Sequence, residues 1–140
     1  MHKSVDFFVI ACHTKPAGGN TTEKEIDELV NVYDAASEKF NTQNGIIAGD
    51  LNAEGSYVSQ TNLKKLKLRS DDRFTWQIGD DVDTTVGNSN CAYDRIITTG
   101  ECTTMAQNAD VYRYDRELQL DREQALKVSD HYPVTADLLL

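Results

Sequence analysis

The sequence predicts an α/β domain in which amphipathic helices pack on a β-sheet. Two short apolar segments rich in β-branched residues predict strands, and a longer segment between them has the apolar spacing of a helix. The chain has 140 residues, a formal net charge of −9 and 39% hydrophobic residues, as expected for one globular domain. At this length about two-thirds of the unfolded chain's surface can be buried, so a core can form without disulfides.

The first third of the chain contains a predicted strand, a polar loop, a helix and a second strand. Residues 5–12 are almost continuously apolar, a pattern typical of a strand buried on both faces. Thr22 and Glu25 have the spacing of a capping box and predict the start of the helix. Residues 45–49 predict the second strand. The apolar face of the helix is formed by Ile26, Leu29, Val30, Tyr33 and Ala36.

The rest of the chain has shorter elements and no internal repeat or linker, so residues 1–140 are interpreted as one unit. Asp121 and Gln124 again have capping-box spacing and predict a helix that ends near Lys127. The other predicted elements are a short basic helix over residues 62–68, strands over 74–78 and 92–98, and a final strand in which Val134, Ala136, Leu138 and Leu140 alternate with other residues.

The net charge and hydropathy exclude several functional classes. The excess of acidic residues argues against nucleic-acid binding through a broad basic surface, because such binding depends on Lys and Arg that release counterions from phosphate. Binding through a divalent cation stays open. No apolar run approaches the roughly 20 residues that span a bilayer, and residues 1–13 lack a signal-peptide pattern. We therefore expect no membrane segment and no signal peptide within these 140 residues.

The three cysteines do not form a recognisable metal or disulfide pattern. Cys12, Cys91 and Cys102 are odd in number and have neither CxxC nor Cys/His zinc spacing. Cys12 lies in an apolar segment, which favours the role of a small buried hydrophobic residue. A bridge between Cys91 and Cys102 and two free thiols are both compatible with the sequence.

Polar groups that could carry chemistry lie at the ends of several predicted strands. They are His13, Asp50 with Asn52, Asp94, and Asp130 with His131. Each alone is more typical of a turn or a surface residue. Together they suit hydrolysis of a phosphodiester, because Asp and Asn oxygens are ligands that Mg²⁺ prefers and histidines oriented by carboxylates can act as acid and base. Asp94 is a candidate to orient His131.

Four ordered motifs make the chain resemble the DNase I-like branch of the endonuclease/exonuclease/phosphatase superfamily, in particular its DNase I and DNase γ group. The resemblance implies one half of a DNase I-like β-sandwich, with a mixed sheet and amphipathic helices on its outer face. It also implies a metal-dependent endonuclease that leaves 5′-phosphate products. The motifs are Gly49-Asp50-Leu51-Asn52-Ala53, Asp83-Thr84-Thr85, Cys91-Ala92-Tyr93-Asp94-Arg95-Ile96 and Ser129-Asp130-His131-Tyr132-Pro133.

The resemblance assigns roles position by position. The implied catalytic residues are His13, His131, Asp94 as the carboxylate that holds His131, and Asp50. The implied ligands of Mg²⁺ or Mn²⁺ are Asp50, Asn52 and Asp130, and those of a structural Ca²⁺ are Asp83 and Thr85. The implied DNA contacts are Asn52 and Tyr57. The sequence assigns no direct role to Tyr93 or Arg95.

The chain departs from the family pattern in its length. It corresponds only to the C-terminal half of a DNase I-like domain, and the resemblance implies a complementary N-terminal half in the same or a separate polypeptide. We expect a sheet cut from its partner to expose an apolar face. The alternative function is a catalytically incomplete half-domain that serves as a binding or structural module. A phosphomonoesterase or phospholipase of the same superfamily is disfavoured by the DNase-type motifs.

A second departure concerns the cysteines. The family commonly pairs the cysteine at Cys91 with one in the loop after Gly-Asp-x-Asn-Ala, where this chain has Glu54 and Gly55. The usual disulfide is therefore not expected, and Cys91 either pairs elsewhere, with Cys102 as one option, or stays a thiol. The resemblance favours a secreted or extracellular protein, and the missing disulfide weakens that inference.

Overall fold

A computed structural model describes residues 4–139 and has an α/β fold built on a mixed four-stranded sheet. The strand order in this sheet is β1-β2-β4-β3, with β1 parallel to β2 and the other pairs antiparallel. The predicted fold class is therefore confirmed. The strands are Phe8–His13 (β1), Gly45–Asp50 (β2), Thr75–Trp76 (β3) and Asp94–Thr99 (β4).

Two further strands and six helices complete the described part of the chain. Ala106–Val111 (β5) and Val134–Leu138 (β6) form an antiparallel pair. The helices are Thr21–Phe40 (α1), Gln60–Leu63 (α2), Lys67–Ser70 (α3), Glu101–Met105 (α4), Tyr114–Glu117 (α5) and Arg122–Val128 (α6). The predicted helix over 62–68 is thus two short helices, and Leu140 of the predicted last strand lies outside the described residues. None of the helices within residues 4–139 has the length and apolarity needed to cross a membrane.

Helix α1 packs its apolar stripe on one face of the sheet, as the sequence predicts. The buried core includes Ile26, Leu29, Val30 and Tyr33 of α1 together with Ile47 and Ile97 of the sheet. In the register of the sheet, alternate residues point to opposite faces. Ile47 pairs with Ile97 and therefore marks the α1 face, whereas their sequence neighbours Ala48 and Ile96 mark the opposite face.

The predicted capping box of α1 is wrong, because its two side chains hold the preceding loop instead. The Thr22 hydroxyl lies 2.7 Å from the carbonyl oxygen of Lys15 and 2.8 Å from that of Ala17. The Lys15 amide donates to Glu25 Oε2 at 2.6 Å. The helix begins after Asn20, which is left-handed (φ 63°) and makes no side-chain cap. Thr22 and Glu25 therefore fix the loop that follows β1. The second predicted capping box, at the start of α6, is present.

Strand β1 is not buried on both faces, contrary to the expectation from its apolar sequence. Phe8 points into the α1 core, whereas Val9 on the other face is 59% exposed. β1 is an edge strand, and the face that carries Val9 and Ala11 is left open there by the residues that the structure describes. Further along the same face, β5 and β6 border an apolar groove of about 120 Å³ lined by Ile46, Ala48, Ile96, Thr98, Ala106, Ala136 and Leu138.

The cysteines are unpaired. Cys12, Cys91 and Cys102 are all free thiols, so the bridge between Cys91 and Cys102 does not form. Cys12 packs against the core, as its apolar surroundings predict. Cys102 is fully buried in α4, whereas Cys91 is only half-buried.

Candidate active site

Strand register brings three of the predicted site residues into one row. His13 at the end of β1 pairs with Asp50 at the end of β2, and Asp50 pairs with Asp94 at the start of β4. Paired residues in adjacent strands point to the same face of a sheet. The three side chains therefore share the face opposite to α1, which is also the face of Val9.

The row opens into a polar cleft of about 680 Å³. Every predicted catalytic, Mg²⁺-binding and DNA-contacting residue lines this cleft: His13, Asp50, Asn52, Tyr57, Asp94, Asp130 and His131. Thr85 lines it as well, whereas Asp83 lines a smaller neighbouring cavity of about 140 Å³ that shares Thr85. Residues from five separate segments of the chain thus meet at one site.

The turn before β6 carries His131 to the start of β4. The Val86 amide donates to the Asp130 carbonyl oxygen at 2.9 Å, and the Tyr132 amide donates to the Thr84 carbonyl oxygen at 2.9 Å. These bonds form a short antiparallel bridge in which Thr85 lies opposite His131. The loop over residues 83–89 therefore sets the position of the histidine.

His131 and Asp94 form a hydrogen-bonded pair. Nδ1 of His131 lies 2.7 Å from Oδ2 of Asp94, and the two side chains are 27% and 15% exposed. Burial of the ring opposes its protonation, but the hydrogen bond to Asp94 and the charges of Asp94, Asp50 and Asp130 outweigh it and raise the pKa of His131. The other ring nitrogen, Nε2, is left for a ligand in the cleft.

Asp50 lies between the two histidines. Its Oδ2 is 3.4 Å from His13 Nε2 and 3.9 Å from His131 Nδ1. Partial burial raises the pKa of Asp50, and the charge of Asp94 raises it further. The hydrogen bond from the Asn52 amide and the two histidines lower it, but by less, so the net pKa is raised. The His13 side chain is 71% exposed, so a partner or a substrate can reach the part of the ring that does not face Asp50.

Unusual backbone angles at the end of β2 and in the turn after it orient Asn52. Gly49 has φ of +143°, and a Cβ there would lie 1.9 Å from the Cys12 carbonyl oxygen, so only glycine fits. Asn52 is left-handed (φ 46°) and 4% exposed. Its amide donates to Asp50 Oδ1 at 2.9 Å, and its Nδ2 donates to the Thr14 carbonyl oxygen at 2.9 Å. The side-chain amide is thus held by Thr14.

Two sets of groups in the cleft could hold a divalent cation. Ligand atoms of Asp50, Asp94 and His131 lie within 4.8 Å of one another. In that trio, however, His131 Nδ1 and Asp94 Oδ2 already bond each other, and a metal would have to break this bond. Asp50, Asn52 and Asp130 offer hard oxygen atoms without that conflict, and they line the same cleft.

The predicted Ca²⁺ residues form a separate oxygen-rich cluster. Asp83 Oδ1 accepts bonds from the Thr85 amide at 2.9 Å and from the Thr85 hydroxyl at 2.7 Å. The carbonyl oxygen and the hydroxyl of Ser89 lie 2.6 Å and 3.0 Å from the Thr85 hydroxyl. Carboxylate, hydroxyl and carbonyl oxygens are the donor types that Ca²⁺ takes, so the chemistry of this cluster fits the ion.

Sequence reasoning missed two residues of the site and left a third open. Tyr93 stacks on His131 at 6.1 Å between ring centroids and contacts Tyr57 at 5.7 Å, which makes a row of three rings along the cleft. Thr84 bonds Asp94 directly, and the Ser129 hydroxyl accepts from the His131 amide. Thr84 and Ser129 both lie inside the recognised motifs, and that position is the signal that could have identified them.

Arg95, the other motif residue without an assigned role, points away from the cleft. It is fully buried on the α1 face, next to Asp94 in sequence but opposite in orientation. Its Nη1 forms an ion pair with Asp80 at 2.8 Å and donates to the Ile78 carbonyl oxygen at 2.9 Å. The guanidinium also lies 5.4 Å from the Trp76 ring centroid. Arg95 is therefore a structural residue.

The loop after β2 is tied to the segment before β4 without a disulfide. The Ala92 amide donates to the Glu54 carboxylate. Gly55 is left-handed (φ +66°), and a Cβ built on it would lie 3.2 Å from Cys91 Sγ. The two segments therefore lie close to each other and are joined by a hydrogen bond.

Comparison with known proteins identifies relatives of this chain. No family model matches it. It is 44% identical to deoxyribonuclease gamma from Homo sapiens over 133 residues, which cover 92% of this chain and 43% of that protein. It is 40% identical to deoxyribonuclease-1-like 2 from Mus musculus over 140 residues, which cover 93% of this chain and 50% of that protein. The chain therefore spans about half the length of these relatives, or less.

A solved structure supports the same assignment of the fold. The chain is similar to the 3′ phosphatase NExo from Neisseria, whose structure contains a product DNA hairpin, with a TM-score of 0.62 at 12% identity. The match covers 94% of this chain and 61% of that chain. At this level of identity, the likeness shows the fold alone. The sequence relatives identify this chain as a homologue of the deoxyribonuclease gamma and deoxyribonuclease-1-like proteins, and it corresponds to the C-terminal half of the DNase I-like family.

Proposed function

We propose that this chain supplies about half of the active site of a metal-dependent endonuclease that hydrolyses DNA phosphodiester bonds to 5′-phosphate products. The observation that carries the proposal is the convergence of His13, Asp50, Asp94 and His131 in one cleft. The similarity to deoxyribonuclease gamma supports DNA as the substrate.

The histidines have the surroundings of an acid and a base. Asp94 holds the Nδ1 side of the His131 ring, so Nε2 can exchange a proton with water or a leaving oxygen. His13 lies at the other end of the row, 3.4 Å from Asp50. Two imidazoles on either side of one carboxylate can serve the two proton transfers of hydrolysis, with one removing a proton from water and the other protonating the 3′ oxygen.

We propose Mg²⁺ or Mn²⁺ as the catalytic cation, with Asp50, Asn52 and Asp130 as its protein ligands. The residues fit such an ion because they are hard oxygen donors in a cleft that also contains Asp94. The pKa of Asp50 is raised by burial and by the nearby charge of Asp94. A bound cation would offset the repulsion between the two carboxylates. When bound, the cation supplies electrostatic stabilisation of charge on the phosphate.

Asp83 and Thr85 are proposed ligands of a structural Ca²⁺. Their oxygens already converge in a loop that bonds the segment of His131. An ion there would stiffen this loop. The ion would thus maintain the geometry of the site without contacting the scissile phosphate.

Tyr57 and Asn52 are the proposed DNA contacts. Both line the cleft, and the ring of Tyr57 continues the aromatic row of Tyr93 and His131. The chain has 14 basic and 23 acidic residues, so a broad basic surface does not account for DNA affinity. Affinity must depend on cations in the cleft and on surfaces outside this chain.

We propose that a complementary half of the domain covers the open face of the sheet. The row of His13, Asp50 and Asp94 lies on the same face as the exposed Val9. A second sheet packed on that face would bury its apolar residues and close one side of the cleft. The isolated chain is therefore expected to associate with such a half or to be poorly soluble, and a monodisperse, cooperatively unfolding monomer in sedimentation would contradict this.

The alternative is a half-domain that binds or scaffolds without cutting. The open face of the sheet favours this alternative, because an exposed apolar face can bind a partner protein even when the complex has no catalytic activity. The test is plasmid relaxation by the full natural polypeptide with Mg²⁺ and Ca²⁺, with and without EDTA. Metal-dependent conversion of supercoiled to nicked DNA supports the nuclease, whereas DNA left intact by a folded, complete assembly supports the alternative.

A further inference from the structure

The Thr84 hydroxyl occupies the centre of a hydrogen-bond cluster behind the His131 and Asp94 pair. The residue is fully buried. Its Oγ1 accepts bonds from the amides of Tyr93 and Asp94, each at 3.2 Å. The same oxygen lies 2.7 Å from Asp94 Oδ2 and 3.3 Å from the Cys91 carbonyl oxygen. One hydroxyl can satisfy at most three of these four partners.

This count shows which of these groups donate a hydrogen bond and which accept one. A hydroxyl has one hydrogen and two acceptor sites. The two amides fill the acceptor sites of Thr84, so its hydrogen is donated, and Asp94 Oδ2 is the nearer of the two acceptors. As a carboxylate, Asp94 can only accept hydrogen bonds, so its Oδ2 accepts one from the Thr84 hydroxyl and another from His131. His131 must then carry its ring proton on Nδ1, which leaves Nε2 unprotonated in the neutral ring.

The backbone of Thr84 also bonds the segments that carry Asp94 and His131. Its amide donates to the Cys91 carbonyl oxygen at 3.1 Å, and its carbonyl oxygen accepts from the Tyr132 amide at 2.9 Å. One residue therefore contacts the segment before Asp94, Asp94 itself and the segment of His131.

We propose that Thr84 is a positioning residue that fixes the orientation of Asp94 and, through it, the Nδ1-protonated tautomer and ring plane of His131. The inference rests on the proposed function only where it concerns catalysis, because the tautomer is a property of this chain alone. Without the hydroxyl, the Asp94 carboxylate loses the donor that ties it to the backbone and is free to rotate away from His131.

The experiment uses the Thr84→Val and Thr84→Ser variants, with Thr98→Val as the matched control. Thr98 is likewise a fully buried threonine, and its hydroxyl bonds Gln77 and Thr103 away from the cleft. Nitrogen-15 NMR of the labelled full natural polypeptide reports the His131 ring nitrogens, and the Nδ1 proton bonded to Asp94 is expected well downfield. Thr84→Val should shift this proton upfield and introduce the Nε2-protonated form, whereas Thr84→Ser and Thr98→Val should keep the original signals.

In the full natural polypeptide, Thr84→Val should lower kcat about 10- to 100-fold with little change in KM, as expected for loss of a residue that orients a catalytic group. Thr84→Ser should restore kcat. A folded Thr84→Val chain with the original His131 signals overturns the inference. If Thr84→Val does not fold, Thr84→Cys takes its place, because a thiol is a weaker donor of similar size. A changed NMR signal without a change in kcat would refute the catalytic role of His131 while leaving the positioning role intact.

Discussion

Nδ1 of His131 lies 2.7 Å from Oδ2 of Asp94, although 37 residues separate them in the chain. The pair forms because the loop over residues 83–89 bonds both the start of β4 and the turn before β6. Both side chains are mostly buried, and each has a second partner, because Thr84 bonds Asp94 and Tyr93 stacks on His131.

Replacing Asp94 by Asn should lower the nicking rate of the full natural polypeptide by about 10²–10⁴-fold, the range for loss of general acid–base catalysis. An amide can present its NH₂ group to His131 and so favour the wrong tautomer. Plasmid relaxation under single-turnover conditions measures the effect. The control is Asp72→Asn, an exposed carboxylate outside the cleft. Equal loss in both variants would show that charge in general, and not the pair, sets the rate.

Acid should destabilise the chain partly through Asp115. Arg113 donates two hydrogen bonds to this carboxylate and Tyr132 donates a third, which hold the pKa of Asp115 well below its usual range. The folded pKa is thus below the unfolded value of about 3.9, so the stabilisation is present above pH 4 and is lost as the pH falls further. Urea unfolding at pH 7 and pH 3 should show a smaller acid-induced loss for Asp115→Asn than for the wild-type chain. An equal loss would contradict this assignment.

Arg95→Met should destabilise the fold by about 1–3 kcal/mol, the range for leaving buried acceptors without a donor, because Arg95 donates to the carbonyl oxygens of Ile78 and Ala92. Arg95 is fully buried and bonded to Asp80, whereas Arg69, the second partner of Asp80, is 25% exposed at its side chain. Arg69→Met is therefore the control and should cost less. Urea denaturation measures both. A stable Arg95→Met chain with reduced DNA affinity would instead assign Arg95 to substrate binding.

Gly55→Cys should form a disulfide with Cys91 under oxidising conditions. The new Cβ would lie 3.2 Å from Cys91 Sγ, close to the distance of about 3 Å that the bond lengths of a disulfide require. It would also lie 2.8 Å from the Tyr93 hydroxyl, so the end of the Tyr93 side chain must shift to admit it. The chain has three cysteines, so thiol titration of the unfolded, oxidised variant should find two. Gly19 is also left-handed and has nothing within 4 Å of a built Cβ, so Gly19→Cys should keep four thiols. Four thiols in oxidised Gly55→Cys would show that the two segments do not approach as described.

The sequence was most informative where one periodic pattern decides the structure. The spacing of Ile26, Leu29 and Tyr33 predicts a helix with one buried face, and these residues are buried. Motifs at strand ends predict a common site because the ends of neighbouring strands meet at one edge of a sheet. The family resemblance could name His131 and Asp94, but their contact depends on tertiary bonds of the 83–89 loop.

Other features depend on partners that a local pattern does not contain. β5 was missed because Gln107, Asn108 and Asp110 give it no apolar alternation, and its register shifts between Gln107 and Asp110. The Thr22 and Glu25 pattern predicts a cap, but the loop after β1 competes for both side chains. The apolar sequence of β1 predicts burial on both faces, although an edge strand has fewer neighbours to provide it.

The most direct test of the proposed nuclease is plasmid relaxation by the wild-type and His131→Ala forms of the full natural polypeptide, with Mg²⁺ and Ca²⁺ present. The wild-type protein should nick supercoiled DNA and stop when EDTA is added, and His131→Ala should be slower by about 10²-fold or more. Thermal unfolding of both proteins should confirm that the variant is folded. A folded His131→Ala protein that nicks as fast as the wild type would contradict the account.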